Sequence, residues 1–131
     1  IIYIPAQILG CLLGVMLANV FFEHNILELS TKNRDGFHIF LSEIIATFGL
    51  IFIIFATLKD GKITIAASVA TYIMAGYWFT SSTSFANPAV AIARTFTDSF
   101  TGINYMNTPT YILAEFLGAL IAVFLIKKLI K

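Results

Sequence analysis

Apolar residues run in long blocks along this chain rather than alternating with polar ones. Residues 1–22 carry no charge, and residues 37–58 carry one acid, Glu43. Residues 110–130 hold Glu115 and, at their end, Lys127 and Lys128. A helix needs about 20 mostly apolar residues to cross a bilayer, so each of these blocks predicts a span. A fourth block, 63–79, is shorter and mixes small and hydroxyl residues with apolar ones. It is read as a span as well. Between the last two comes a polar stretch, 80–86, and then a moderately apolar segment, 87–100, too short to cross. Non-helical backbone at membrane depth is tolerated where protein buries it or where it lines a wet cavity. The pattern therefore predicts an all-α membrane protein with four transmembrane helices and one re-entrant half-helix.

Charge placement agrees with that topology. Lys59 and Lys62 flank the turn between the second and third spans, and Lys127, Lys128 and Lys131 close the chain. With those ends cytoplasmic, five of the eight cationic residues lie inside, as the positive-inside bias favours. The turn and the C-terminus share a side only if the 87–100 segment re-enters without crossing. The loop 23–36 then faces outward, its Lys32 and Arg34 balanced by Glu23, Glu28 and Asp35.

Composition narrows the function classes. Of 131 residues 59% are hydrophobic and 11% charged, with mean hydropathy +0.91, too apolar for a soluble domain of this size. The net charge of +1 offers no basic field for nucleic acid. The single cysteine, Cys11, lies in an apolar helix and is read as filler. His24 and His38 flank the outer loop and are read as solvated there rather than as metal ligands. No Ser-His-Asp or Cys-His set is present, so an enzyme is disfavoured. The chain starts at Ile1 inside an apolar pattern, without a leader, and a cut end is expected. Small residues recur every four positions at Ala6, Gly10, Gly14 and Ala18, and again at Ala114, Gly118 and Ala122. Such rows let helix backbones approach closely in lipid.

The stretch SFANPAVAIAR, residues 84–94, carries the candidate chemistry. Asn is a strong N-cap, its side-chain oxygen accepting from the first orphan N–H groups of a helix. Pro suits the first helical position, where its missing N–H is no loss. Asn87-Pro88-Ala89 therefore opens a helix whose N-terminus carries about half a positive charge. Inside a membrane such a terminus disfavours cations and protons in a narrow pore. The capping Asn87 keeps two amide donors suited to the oxygen of water or a polyol.

Placed between the last two spans, Asn87-Pro88-Ala89 resembles the second signature of the major intrinsic proteins, the aquaporins and aquaglyceroporins. Residues 3–10, YIPAQILG, resemble that family's third helix, and residues 42–47, SEIIAT, its fourth. Residues 63–79 resemble the fifth helix and residues 113–123 the sixth. The resemblance covers the whole chain as one partial aquaporin-like domain, the third helix followed by the second of two inverted repeats. It implies that two helices and a first Asn-Pro-Ala belong to a part this sequence does not carry.

The resemblance implies a pore in which Asn87, Pro88 and Ala89 face the solute. It places selectivity-filter positions at Ala75, with Gly76 beside it, and at Ser84 and Val90. Family members usually carry Arg where this chain has Val90. Small side chains there imply a wider, less polar constriction, favouring glycerol-like polyols or neutral metalloid hydroxides over water alone. Arg94 lies one turn beyond Val90, about 6 Å along the axis, as an outer-mouth charge. The competing expectation pairs Arg94 with Asp98 across i,i+4, worth about 0.2–0.5 kcal/mol. Glu43 matches the buried fourth-helix glutamate that supports the re-entrant loop, while Glu115 has no assigned role. The expected function is passive flow of small neutral solutes through a homotetramer without cofactors. The expected location is the plasma membrane of a prokaryote. The alternative is a non-conducting membrane protein, or a subunit that assembles with a partner supplying the other half of the pore.

Overall fold

The computed structural model describes residues 2–129. Ile1, Ile130 and Lys131, at the limits of the first and last expected spans, lie outside the described residues. Five α-helices follow one another: α1 (Tyr3–Phe21), α2 (Phe37–Ala56), α3 (Lys62–Phe79), α4 (Pro88–Ala93) and α5 (Thr108–Leu129). A 3₁₀ turn, Arg94–Phe96, continues α4. Among the described residues no strand is present. Helices α1, α2 and α5 are long and apolar enough to cross a membrane. α3 is not among them: Lys62, Thr64, Ser68 and Thr71 dilute its apolar content. Large apolar side chains stand exposed on the helices, Trp78 at 89%, the surface expected of a chain solvated by lipid.

Residues divide into two compact units. The first comprises Ile1–Asp35 and Asn87–Ile112, the second Gly36–Ala86 and Leu113–Lys131.

In the first unit α1 packs against α4 and the 3₁₀ turn. Pro5 falls in the first turn of α1, where its missing N–H breaks no helical bond. Asn19, a buried polar residue near the other end of α1, donates through its amide to the carbonyls of Ile26 (3.2 Å) and Phe96 (3.0 Å). It thus ties the loop after α1 to the segment after α4. The half-helix is shorter than residues 87–100. α4 ends at Ala93, the 3₁₀ turn ends at Phe96, and Thr97 is extended. The carbonyls that would continue the helix are claimed from elsewhere. Ile103 N–H donates to Arg94 O at 3.1 Å and Ser30 N–H to Thr95 O at 2.9 Å. The residues that follow, Thr95, Thr97, Asp98 and Ser99 among them, are weak helix formers, and these long-range partners add to that.

In the second unit α2 packs against α3. Gly36 and Gly61 precede these helices with φ of +104° and +93°, a region most residues avoid. Tyr72 donates its hydroxyl to the Ala46 carbonyl at 2.9 Å. Its ring fills the space above Gly49 that any Cβ would occupy. α5 meets α2 through Gly118, where a Cβ would press on the Ile44 carbonyl and lie 3.0 Å from Thr47 Cβ. Ala114 and Ala122, one turn to either side, are fully buried. The small-residue row of α5 is thus a packing surface. The row on α1 is not one among the described residues: a Cβ at Gly10 or Gly14 meets nothing within 4 Å.

Candidate functional site

In the second unit, the segment between α3 and α4 is irregular and closely held. Thr80 terminates α3, its hydroxyl and its N–H both donating to Gly76 O, at 2.5 and 3.1 Å. Ser81 N–H donates to Ser42 Oγ of α2 at 2.9 Å. Thr83, Ser84 and Ala86 then adopt φ of +66°, +52° and +50°. Left-handed conformations are costly for residues with a Cβ. The compensation comes from α2. Glu43 is fully buried, and Ala86 N–H donates to its Oε1. The Phe85 N–H and the Ser82 hydroxyl bond to the same carboxyl. An apolar helix therefore spends its one acid on satisfying a strained loop that has no ladder or helix of its own.

Two of the expected filter positions meet inside this unit. Gly76 is buried, and a Cβ there would lie 2.5 Å from Ser84 Oγ. Only a glycine admits the Ser84 side chain so close to α3. Ser84 Oγ is itself buried and has no hydrogen-bond partner among the described residues. Ala75, the neighbouring position, is exposed.

In the first unit, Asn87 caps α4 as expected. It is extended (φ −158°, ψ 118°), and its side chain accepts from Ala89 N–H at 2.9 Å. Pro88 takes the first helical position. Ala89, Ala91 and Ala93 are buried. Of these, Ala93 faces the α1 residues Cys11, Gly14, Val15 and Ala18 across a groove.

These elements identify a half-helix capped by Asn-Pro-Ala, preceded by a loop that a buried glutamate holds. Comparison with known proteins gives the family. Residues 1–124 match the family described as major intrinsic protein. The chain belongs to the major intrinsic protein family. A similar protein is "Aquaglyceroporin AqpS" of Rhizobium meliloti (strain 1021), 43% identical over 129 residues. That match covers 98% of this chain and 55% of the relative, so the chain spans about half the relative's length. No solved structure matches. Major intrinsic proteins are integral membrane channels and not enzymes.

For this major intrinsic protein, α1 and α4 enclose an open groove of about 230 Å³. α1 lines it with Cys11, Gly14, Val15 and Ala18. The half-helix contributes Val90 and Ala93, and the 3₁₀ turn contributes Arg94. Val90 and Arg94 therefore share one face, as their spacing predicts. The expected Arg94–Asp98 pair does not form. Arg94 Nη1 donates instead to Thr101 Oγ1 at 2.6 Å. Asp98 accepts from the Thr31 backbone at 2.9 Å and from the Thr31 and Ser30 hydroxyls. The physical reason is the early end of α4. With Thr97 extended, Asp98 leaves the helical register that would have set it beside Arg94.

The loop after α1 closes over this region through charged groups. Glu28 Oε1 lies 2.6 Å from His24 Nδ1 and accepts from Asp98 N–H at 3.1 Å. The Thr31 backbone bond, the Thr31 hydroxyl, the Lys32 charge and the Ser30 hydroxyl, in falling order, hold the Asp98 carboxyl below the usual carboxylate range. Desolvation acts in the other direction and is outweighed. Arg34 N–H donates to Asn107 Oδ1 at 3.0 Å, and its guanidinium stacks 5.7 Å over the Phe100 ring. Asn19, Thr101 and the Ser30-Thr31 pair do not stand out from sequence. The signal for Asn19 was available, as an isolated amide in an apolar run. Thr101 and Ser30-Thr31 are ordinary loop residues; Thr101 meets Arg94 only because the chain turns after α4, and Ser30-Thr31 depend on Asp98, 68 and 67 positions away along the chain.

Proposed function

We propose that this chain forms the second half of a passive channel for small neutral solutes such as glycerol-like polyols, metalloid hydroxides and water. The observation that carries this is the Asn87-capped half-helix, its approach held by Glu43. It builds an oriented, positive helix terminus at the end of an irregular segment between apolar helices. α3 crosses the membrane as a fourth span, and the half-helix re-enters from outside. Residues 1–131 form one partial aquaporin-like domain. Asn87, Pro88 and Ala89 face the solute. Ala75, Gly76, Ser84 and Val90 set the constriction, and Arg94 lies toward the outer mouth. Val90 and Gly76 support a wide, weakly polar passage. The aquaglyceroporin relative supports the same solute class. A homotetramer in a prokaryotic plasma membrane is the expected assembly.

The test is reconstitution of the chain into liposomes, with stopped-flow measurement of water and glycerol permeability. The expected result is glycerol uptake above that of protein-free vesicles, reduced by Val90→Arg, which narrows the constriction. Permeability equal to protein-free vesicles rejects conduction by this chain. It favours the second reading, a non-conducting protein or a subunit whose partner supplies the other half of the pore. The open Gly10 and Gly14 face of α1 is the observation that favours that reading.

A further inference from the structure

The structure assigns to Arg94 a role in solute discrimination: it is the charge that decides which solutes enter the α1–α4 groove, and Thr101 is its positioning residue. The assignment rests on the channel proposed above for the use of the path, but its electrostatic content stands on separate observations.

The guanidinium lines the groove and is half-buried. Among the described residues no carboxylate pairs with it. Two acids of the same unit are committed elsewhere, Asp98 to Thr31 and Ser30, Glu28 to His24 and the Asp98 N–H. The other groove-lining side chains are apolar or small, apart from the Cys11 thiol. Field lines from an uncompensated cation concentrate in a cleft with low-dielectric walls. Such a groove repels cations, tolerates neutral solutes and attracts anions.

Thr101 fixes where that charge sits. Its hydroxyl takes one guanidinium N–H at 2.6 Å. The Arg94 backbone is anchored separately, its carbonyl accepting from Ile103 N–H. The remaining donors of the planar fork stay in a set geometry, suited to two oxygens on one solute.

Cys11 offers a direct readout. It lines the same groove and is the single cysteine in the sequence. The purified chain in nanodiscs is treated with three methanethiosulfonate reagents of similar size, bearing a sulfonate, a trimethylammonium or no charge. For unit charges about 7 Å apart in water, the Coulomb term changes local concentration by about threefold for each sign. The sulfonate reagent is therefore expected to modify Cys11 at least about fivefold faster than the ammonium reagent. Salt should weaken that preference. Arg94→Gln brings the ratio close to one, Arg94→Lys retains most of it, and Thr101→Val lowers it part of the way. A ratio that is unchanged in Arg94→Gln, or that favours the ammonium reagent, overturns the assignment. So does failure of all three reagents to reach Cys11, which means that the groove admits no solute. The labelling ratio does not depend on flux. Non-conducting liposomes with a charge-selective Cys11 reject the channel alone, and conducting liposomes with an indifferent Cys11 reject the Arg94 assignment alone.

Discussion

Replacing Glu43 by alanine should release the loop that precedes the half-helix. The magnitude follows from what the carboxyl holds. Two backbone N–H groups, of Phe85 and Ala86, and the Ser82 hydroxyl converge on it in a fully buried position. A buried donor left without a partner loses about 1–3 kcal/mol. Two such donors therefore lose about 2–6 kcal/mol. The left-handed backbone at Thr83, Ser84 and Ala86, at about 1–2 kcal/mol for each residue, is strained with or without the carboxyl and so does not enter the difference. Part of the loss at the donors is recovered as the loop relaxes toward water or lipid headgroups, so about 3 kcal/mol is expected for local opening of residues 80–86. At about 1.4 kcal/mol per decade, opening becomes roughly 100-fold more frequent.

Amide hydrogen exchange reads this directly, because local opening governs the exchange of the Phe85 and Ala86 amides. Their protection should fall about 100-fold in Glu43→Ala. Glu43→Gln keeps an oxygen acceptor and should lose about tenfold. The α5 amides around Gly118 serve as the internal control and should hold. Wild-type protection at Phe85 and Ala86 in Glu43→Ala refutes the reasoning. The left-handed segment would then be held by contacts other than the carboxyl, and Glu43 would have no claim as the support of the site.

Other outcomes follow from the same packing. Gly118→Val should destabilise the second unit by about 1–3 kcal/mol through overpacking against Ile44 and Thr47, while Gly14→Ala should leave thermal unfolding within about 0.5 kcal/mol of wild type. Asn87→Ala removes the cap and should lower stability by about 0.5–2 kcal/mol, seen as faster exchange of the Ala89 amide. The Asp98 carboxyl is held below its ordinary range, so its attachment to Thr31 is fully present above the unfolded carboxylate value. That attachment is lost as pH falls through the lower folded value. Protection of the Thr31 amide, corrected for intrinsic rate, should therefore drop on acidification and be low at all pH values in Asp98→Ala.

Much of the architecture was legible because a membrane simplifies the code. Long apolar runs found α1, α2 and α5, and Asn-Pro at 87–88 found the start of α4 from capping chemistry alone. The end of α4 was not legible. Thr95, Thr97, Asp98 and Ser99 are weak helix formers, but they do not by themselves fix where the helix stops. It stops because Ser30, Asn19 and Ile103 take the carbonyls of Thr95, Phe96 and Arg94. The same event removed the Arg94–Asp98 pair that i,i+4 spacing suggests. The two small-residue rows are alike in sequence, yet Gly118 is packed and Gly14 is open, since a row states where a neighbour fits and not whether one is there.

Satisfying an irregular backbone between apolar helices dictates where polar side chains go, and this separates supporting groups from candidate solute-facing ones. Ser42, Glu43 and Thr80 are consumed by loop N–H groups or helix-end carbonyls. Asn19 and Thr101 are consumed in fixing the segment after α4. Among the described residues some buried polar atoms stay without a partner, the Thr47, Ser84 and Thr108 hydroxyls among them. The Ser84 hydroxyl lies buried against Gly76, and the Arg94 guanidinium, bonded to Thr101, has no counter-ion among the described residues. A buried hydroxyl with nothing to bond destabilises a fold, and a half-buried cation without an anion does so too. The Ser84 hydroxyl does not help to hold the chain together, whereas Arg94 does so through Thr101. Ser84→Ala should therefore gain in folding stability, read by thermal unfolding, and under the proposed function it would lose a hydroxyl that a solute bonds in passing.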